Sequence, residues 1–198
     1  MNRCAFRSIF ISSLLLFLSF SLSPSPVPAL EDQNASLSLC PSDDIGPARE
    51  KHDRERDRIS HAGGRVFRNG RRLALRSRDR LVVLEDDCSV SESAIRYLFE
   101  YHLSGPGYFQ VGVSLHEGRE TLLVNDRTGE RTWLKAPPLI SPDHKRFVTM
   151  SMDLEASYNP NEIQIWRLEP AGPVLEYSAN FGEQWGPSDP VWKDLDRC

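Results

Sequence analysis

The stretch "LLVNDRTGERTWLKAPPLISPDHKRFVTM", residues 122–150, decides the fold. An apolar run turns at Asn125-Asp126-Arg127-Thr128-Gly129 and resumes as "ERTWL". A second turn at Ser141-Pro142-Asp143-His144 leads into "KRFVTMSMD", where Phe147, Thr149 and Ser151 alternate with Val148, Met150 and Met152. A beat of two residues marks a strand, because successive side chains of a strand point to opposite faces. Asn and Asp bond their own backbone in turns, and Gly129 is placed to take the left-handed conformation of a longer hairpin loop. Turn geometry therefore accounts for the polar residues of the stretch, and strand faces for the apolar ones. "NDRTGE" lacks the alternating carboxylates of a calcium loop, so no metal site is expected.

The pattern continues in both directions. "RVFRNGRRLAL" sets Asn69-Gly70 between two strand-like runs and predicts a hairpin with a type I′ turn. "RLVVLEDD", "AIRYLFEYHL", "YFQVGVSL", "ETLLVN", "EIQIWRL" and "VLEYSAN" read as further strands, with Phe109, Val111 and Val113 on one face. Ser104-Gly105-Pro106-Gly107 and Glu117-Gly118 separate them. About nine or ten short strands, with no long amphipathic helix after residue 60, predict an all-β domain over residues 64–198.

The N-terminus reads as a targeting segment. Arg3 and Arg7 precede an apolar run over residues 9–22, and Val27-Pro28-Ala29 makes a small-residue cleavage site. This is the pattern of a secretory signal peptide, residues 1–29. About 14 apolar-rich residues fall short of the ~20 that span a bilayer. The mature chain is expected to be secreted or periplasmic, and not an integral membrane protein. Residues 30–63 form a polar, charged lead or linker, disordered or helical. Within it "REKHDRERDRIS", residues 49–60, has almost no apolar side chain and is expected to bury no face.

The chain carries 24 Lys+Arg and 28 Asp+Glu, a formal net charge of −4. Residues 49–80 alone hold twelve basic and five acidic residues, a net of +7, which leaves −13 for the rest of the mature chain. Such a stretch serves either as a binding arm for an acidic partner or as a solvated linker. Export argues against nucleic acid. Cys40, Cys88 and Cys198 survive signal cleavage, and in an oxidising compartment one pair closes a disulfide, with three pairings open.

Motifs for catalysis are missing from the sequence. The five histidines form no HxH or HExxH pattern. There is no GxSxG elbow and no Gly-rich phosphate loop, and no cofactor is expected. Glu100 and Asp153, on strand-like runs, are the pair that a carboxylate-dependent hydrolase would use. Trp133 and Trp166 fall within alternating strands and are assigned to the core. Trp185 and Trp192 stand among Gly, Pro and Asp and are the candidate binding residues, since exposed aromatics anchor partners and stack sugars. The reading is a non-catalytic binding or interaction module for a protein or cell-envelope ligand. A hydrolase and a structural envelope protein without a ligand are the alternatives.

One resemblance accompanies this reading. "ISPDHKRFVTMSMD" aligns with "VSESAIRYLFEYH" at an offset of 50 residues, a spacing within the range of propeller blades. Ser141-Pro142-Asp143-His144-Lys145-Arg146-Phe147 resembles the turn and inner strand of periplasmic β-propeller repeat proteins, with His144 where those repeats carry Gly. "NEIQIWRLEPAG" resembles the following blade strand, and "VNDRTGERTWL" the hairpin that closes the previous blade. The resemblance covers roughly residues 90–195 and implies four-stranded antiparallel blades. A closed propeller needs about four or more of them, and this chain offers about three. Propeller-blade-like sheets in an incomplete ring or a sandwich are therefore expected.

Overall fold

The computed structural model describes residues 40, 47–89, 91–154, 160–182, 185–187 and 190–193. Cys198 and the segment 1–29 lie outside them. Among the described residues one helix, α1 (Pro47–Ser60), precedes eleven strands. Sheet A is the meander β1 (Val66–Asn69), β2 (Arg72–Arg76) and β3 (Leu81–Glu85). Sheet B follows with β4 (Ile95–Leu103), β5 (Tyr108–Leu115), β6 (Arg119–Asn125) and β7 (Arg131–Leu134). Sheet C comprises β8 (Leu139–Ile140), β9 (Arg146–Ser151), β10 (Glu162–Glu169) and β11 (Gly172–Asn180). Every pairing is antiparallel between chain neighbours. The fold is all-β, as the alternation requires, and the three blade-like meanders do not close into a barrel.

Sheet B is the middle layer, and β5 shows why. Phe109, Val111 and Val113 are fully buried against sheet A, where Leu73, Leu75, Val82 and Leu84 meet them. The alternate residues Tyr108, Gln110 and Gly112 face the other way. There Tyr108, Leu123, Leu134 and Phe147 form a smaller core, with Trp166 stacked on Phe147 at 5.9 Å. Each fully buried Phe or Leu is worth about 1.5–3 kcal/mol relative to exposure, so most of the hydrophobic stabilisation lies between sheets A and B. Trp166 is a core-packing residue as expected. Trp133 is not: it is 46% exposed, because β7 is an edge strand whose outer positions nothing covers completely.

Two turns deserve comparison with the sequence. Gly129 has φ 73° and closes the β6–β7 loop as its position implies. His144 has φ 57° and is the one described non-glycine in the left-handed region. The first hairpin differs from expectation by one residue. Asn69 pairs with Arg72, so the loop is Gly70-Arg71, and only Gly70 is left-handed, with φ 53°. A positive φ at the first loop position alone is the type II′ pattern. The observed register pairs Leu73 with Arg68 and Leu75 with Val66, and keeps both leucines buried toward sheet B.

Helix α1 corrects a second expectation. It does bury a face, but a charged one. Glu55 of α1, Arg68 of β1 and Asp86 after β3 have side chains only 3%, 4% and 3% exposed. Arg68 donates to Glu55 Oε1 at 2.7 Å, to Asp86 Oδ2 at 3.1 Å and to the Tyr97 carbonyl. The carboxylates in turn accept backbone N–H groups of β4: Phe99 N bonds Glu55 Oε1 at 2.7 Å, and Tyr97 N bonds Asp86 Oδ1 at 2.8 Å. The outer edge of β4 is thereby paired by side chains instead of a strand, which removes an edge that would otherwise invite aggregation. Burial pushes the Glu55 carboxyl up, but His52, Arg68 and the Phe99 N–H together outweigh it and hold it below its ordinary value. Burial prevails at Asp86, whose carboxyl stays above its ordinary value despite Arg68 and the Tyr97 N–H.

Cys40 and Cys88 are joined in a disulfide with a Cα–Cα distance of 5.3 Å. It ties the chain ahead of α1 to the loop between β3 and β4, 48 residues on. No described helix is long and apolar enough to cross a membrane.

Candidate functional site

The β6–β7 turn and the segment after β2 are held together by backbone contacts. Arg78 N donates to the Asp126 carbonyl at 2.8 Å, and Asp79 N to the Arg127 carbonyl at 2.9 Å. The Ser77 hydroxyl donates to the Asn125 carbonyl at 3.1 Å. Within the turn, Asn125 Oδ1 accepts Arg127 N and Thr128 N at 3.0 and 2.9 Å, the Asx arrangement the sequence implies. Arg80 Nη2 bonds the Gly129 carbonyl at 2.6 Å, and a Cβ at Gly129 would lie 2.5 Å from Arg80 Nε, so glycine is needed there for closeness as well as for φ.

On this floor opens a cleft of about 600 Å³ lined by Arg65, Arg76, Ser77, Arg78, Asp126 and Arg127. Four guanidiniums face one carboxylate. Asp126 is already engaged: Arg65 Nη1 lies 3.0 Å and His102 Nε2 2.9 Å from its Oδ2. Arg65 also donates to the Asp126 carbonyl at 2.9 Å and covers the Phe109 ring at 4.9 Å. Arg76 lies over the Phe67 ring at 5.0 Å. Arg78 and Arg127 are exposed, and their guanidiniums make no hydrogen bond or ion pair with the other described residues. The cleft thus holds two anchored and two unengaged guanidiniums on a rigid backbone, a geometry suited to bidentate bonding of carboxylate, phosphate or sulfate.

Sequence reasoning located the basic stretch but not this site. Asp126 looks like a local turn former, yet its carboxylate reaches Arg65, 61 residues away. Arg127 comes from outside the basic stretch altogether. In the helical part of that stretch, Arg54 and Arg56 form exposed pairs within α1, with Glu50 at 3.3 Å and Asp53 at 3.6 Å, worth little each, and Arg58 lies over the Tyr101 ring at 5.0 Å.

The other sequence candidates lie elsewhere. Trp185 is 58% exposed and meets Phe181 edge-to-face at 4.6 Å. Trp192 Nε1 donates to the Leu139 carbonyl at 3.1 Å and so tethers the C-terminal segment to sheet C. Glu100 sits at the bulge of β4 and accepts from Gln110 Nε2 at 2.7 Å. The carboxylate sharing its cleft is Glu120, and Asp153 does not line that cleft. No family model, curated protein or solved structure matches this chain.

Proposed function

We propose that this chain is an exported binding module that holds an acidic ligand, on a protein or on the cell envelope, in the arginine-lined cleft. The observation that carries the reading is the cleft itself: four arginines against one aspartate that is already engaged, on backbone fixed by hydrogen bonds. The hydrogen-bonded backbone fixes where Arg78 and Arg127 start from, and Arg65 is already held, so that only the two free guanidiniums have to be ordered on binding. The local positive field also steers an acidic partner to this face although the whole chain is negative.

Export is supported by the signal-like composition of residues 1–29 and by the Cys40–Cys88 disulfide, a bond that persists in oxidising compartments. The three consecutive meanders support the likeness to periplasmic propeller repeats. Binding without catalysis fits the carboxylates: Glu100 and Glu120 are each tied to a neighbour, Gln110 and Lys135.

Cation-exchange chromatography tests the reading. The mature chain, of formal net charge −6 once Arg3 and Arg7 are removed, passes through such a resin at neutral pH unless one face is locally basic. Retention is expected, and Arg78→Ala/Arg127→Ala shortens it. Passage in the flow-through, or equal retention of the variant, contradicts the reading. Mass analysis of the secreted protein is expected to find Leu30 as its first residue.

A further inference from the structure

A second cleft, of different chemistry, lies at the other end of β6. The arginine cleft takes Asp126 and Arg127, just past the strand's last residue, whereas this one takes Arg119, Glu120 and Thr121 from its start. At a strand rise of about 3.4 Å, the two are roughly 20 Å apart along β6. The second cleft opens between sheets B and C and holds about 470 Å³.

Its charges cancel. Glu100 and Glu120 face it together with Arg119 and Lys135, and Lys135 Nζ lies 2.5 Å from Glu120 Oε1. Glycine at 112 makes room for one of the carboxylates, since a Cβ there would lie 2.7 Å from Glu100 Oε1. Met150 and Met152 form an apolar side. The loop bearing Trp185 rests against that side: a Cβ at Gly186 would lie 2.7 Å from Met152 Cγ. The contact with Phe181 orients the Trp185 indole while leaving more than half of it open to solvent.

Donors and acceptors without net charge, beside an apolar side, match a ligand that is polar around its rim and apolar on its face. Trp185 is not itself a lining residue; its neighbour Gly186 abuts Met152, and its exposed indole is the nearest aromatic surface the loop offers to such a face. We infer that this cleft binds a neutral carbohydrate, with Trp185 as the stacking platform and Glu100 and Glu120 accepting from its hydroxyls. A carboxylate has about four acceptor positions, so each keeps capacity after bonding Gln110 or Lys135. An anionic ligand would meet the two carboxylates here and is better served by the arginine cleft. The inference uses none of the residues of that cleft and stands apart from the acidic-ligand reading.

The test is a titration of the full mature chain with neutral oligosaccharides of glucose, N-acetylglucosamine and mannose, followed by amide NMR shifts. At least one sugar type is expected to give saturable shifts at Gln110, Gly112 and Gly186. Trp185→Ala weakens that binding about tenfold, the loss expected of one aromatic stacking contact. Glu120→Gln weakens it by a similar factor, while Arg78→Ala/Arg127→Ala leaves it unchanged. Trp185 is exposed, and an unchanged circular dichroism spectrum confirms that its replacement leaves the fold intact. Absence of saturable shifts with all three sugar types overturns the inference. So does binding that survives both Trp185→Ala and Glu120→Gln, or binding lost in the arginine variant.

Discussion

The two faces of sheet B are built differently. Toward sheet A, twelve buried residues form one continuous core, roofed by the Glu55–Arg68–Asp86 cluster. Toward sheet C only four do so among the described residues, and polar Gln110 and Thr121 and small Gly112 take up the rest of that face. The difference follows from alternation along β5, whose odd positions are large and apolar while its even ones are mostly not. The apolar face holds the molecule together; the polar one leaves a cleft. One strand thus carries the main core on one side and leaves room for a cleft on the other.

One of the two largest expected effects breaks the roof. Arg68→Met takes away the guanidinium that two buried carboxylates share, leaving Glu55 with His52 and Asp86 with Arg96 alone, and is expected to cost about 4 kcal/mol, within the range for removing one partner of a buried pair. Equilibrium urea denaturation measures it. A loss below 1 kcal/mol would mean the cluster merely decorates the helix contact.

Next come the two cores. Phe109→Ala is expected to cost about 4 kcal/mol and Phe147→Ala about 3 kcal/mol, because the thinner B–C layer has more room to relax around the void. The reverse order in the same denaturation experiment would undo the contrast between the faces.

Acid sharpens the account of the roof. A carboxyl held below its unfolded value stabilises the fold above that value and loses this contribution as pH falls through its native value. Glu55 behaves so, and its contribution fades on acidification below its ordinary value of about 4.5. Asp86, raised, works in the opposite sense: its contribution is lost as pH rises through its native value. Glu55→Gln removes the first of these and, because the Glu55 charge is among the causes that raise Asp86 after burial, lessens the second. The stability gap between wild type and variant, followed by thermal melting, is therefore expected to narrow as pH falls below about 4.5. A gap that widens contradicts the assignment.

The smallest effect concerns the turn into sheet C. His144→Gly relieves a left-handed backbone and is expected to raise stability by no more than about 1 kcal/mol. The gain is limited because the His144 ring packs over Gly105, where a Cβ would lie 2.3 Å from His144 Nδ1. A destabilised variant would show that this packing outweighs the strain.

Strand alternation was legible throughout: Phe109, Val111 and Val113 share a buried face as their spacing demands. Turn chemistry was legible where one residue sufficed, as at Gly129 and His144. The docking of α1 was not, because Ile59 is the one apolar side chain of the helix that packs on the core and the rest of the contact is polar, made by Glu55 with Arg68 and the Phe99 N–H. The first hairpin closes on Gly70-Arg71, one residue after the Asn69-Gly70 dipeptide; either closure sets Leu73 and Leu75 on the inner face, so burial does not explain the choice. The arginine cleft was half legible. Its charge shows in residues 49–80, but its shape depends on Asp126 and Arg127, which only the antiparallel meander brings across to Ser77 and Arg78.

On the proposed function, acidic ligands are held by the arginine cleft and not by basic charge at large. Titrating poly-L-glutamate into wild type, Arg78→Ala/Arg127→Ala and a helix variant, Arg54→Ala/Arg56→Ala/Arg58→Ala, tests it most directly. The account predicts salt-sensitive binding that the cleft variant loses by about tenfold or more and the helix variant retains. Equal losses in both variants, or loss in the helix variant alone, would contradict it.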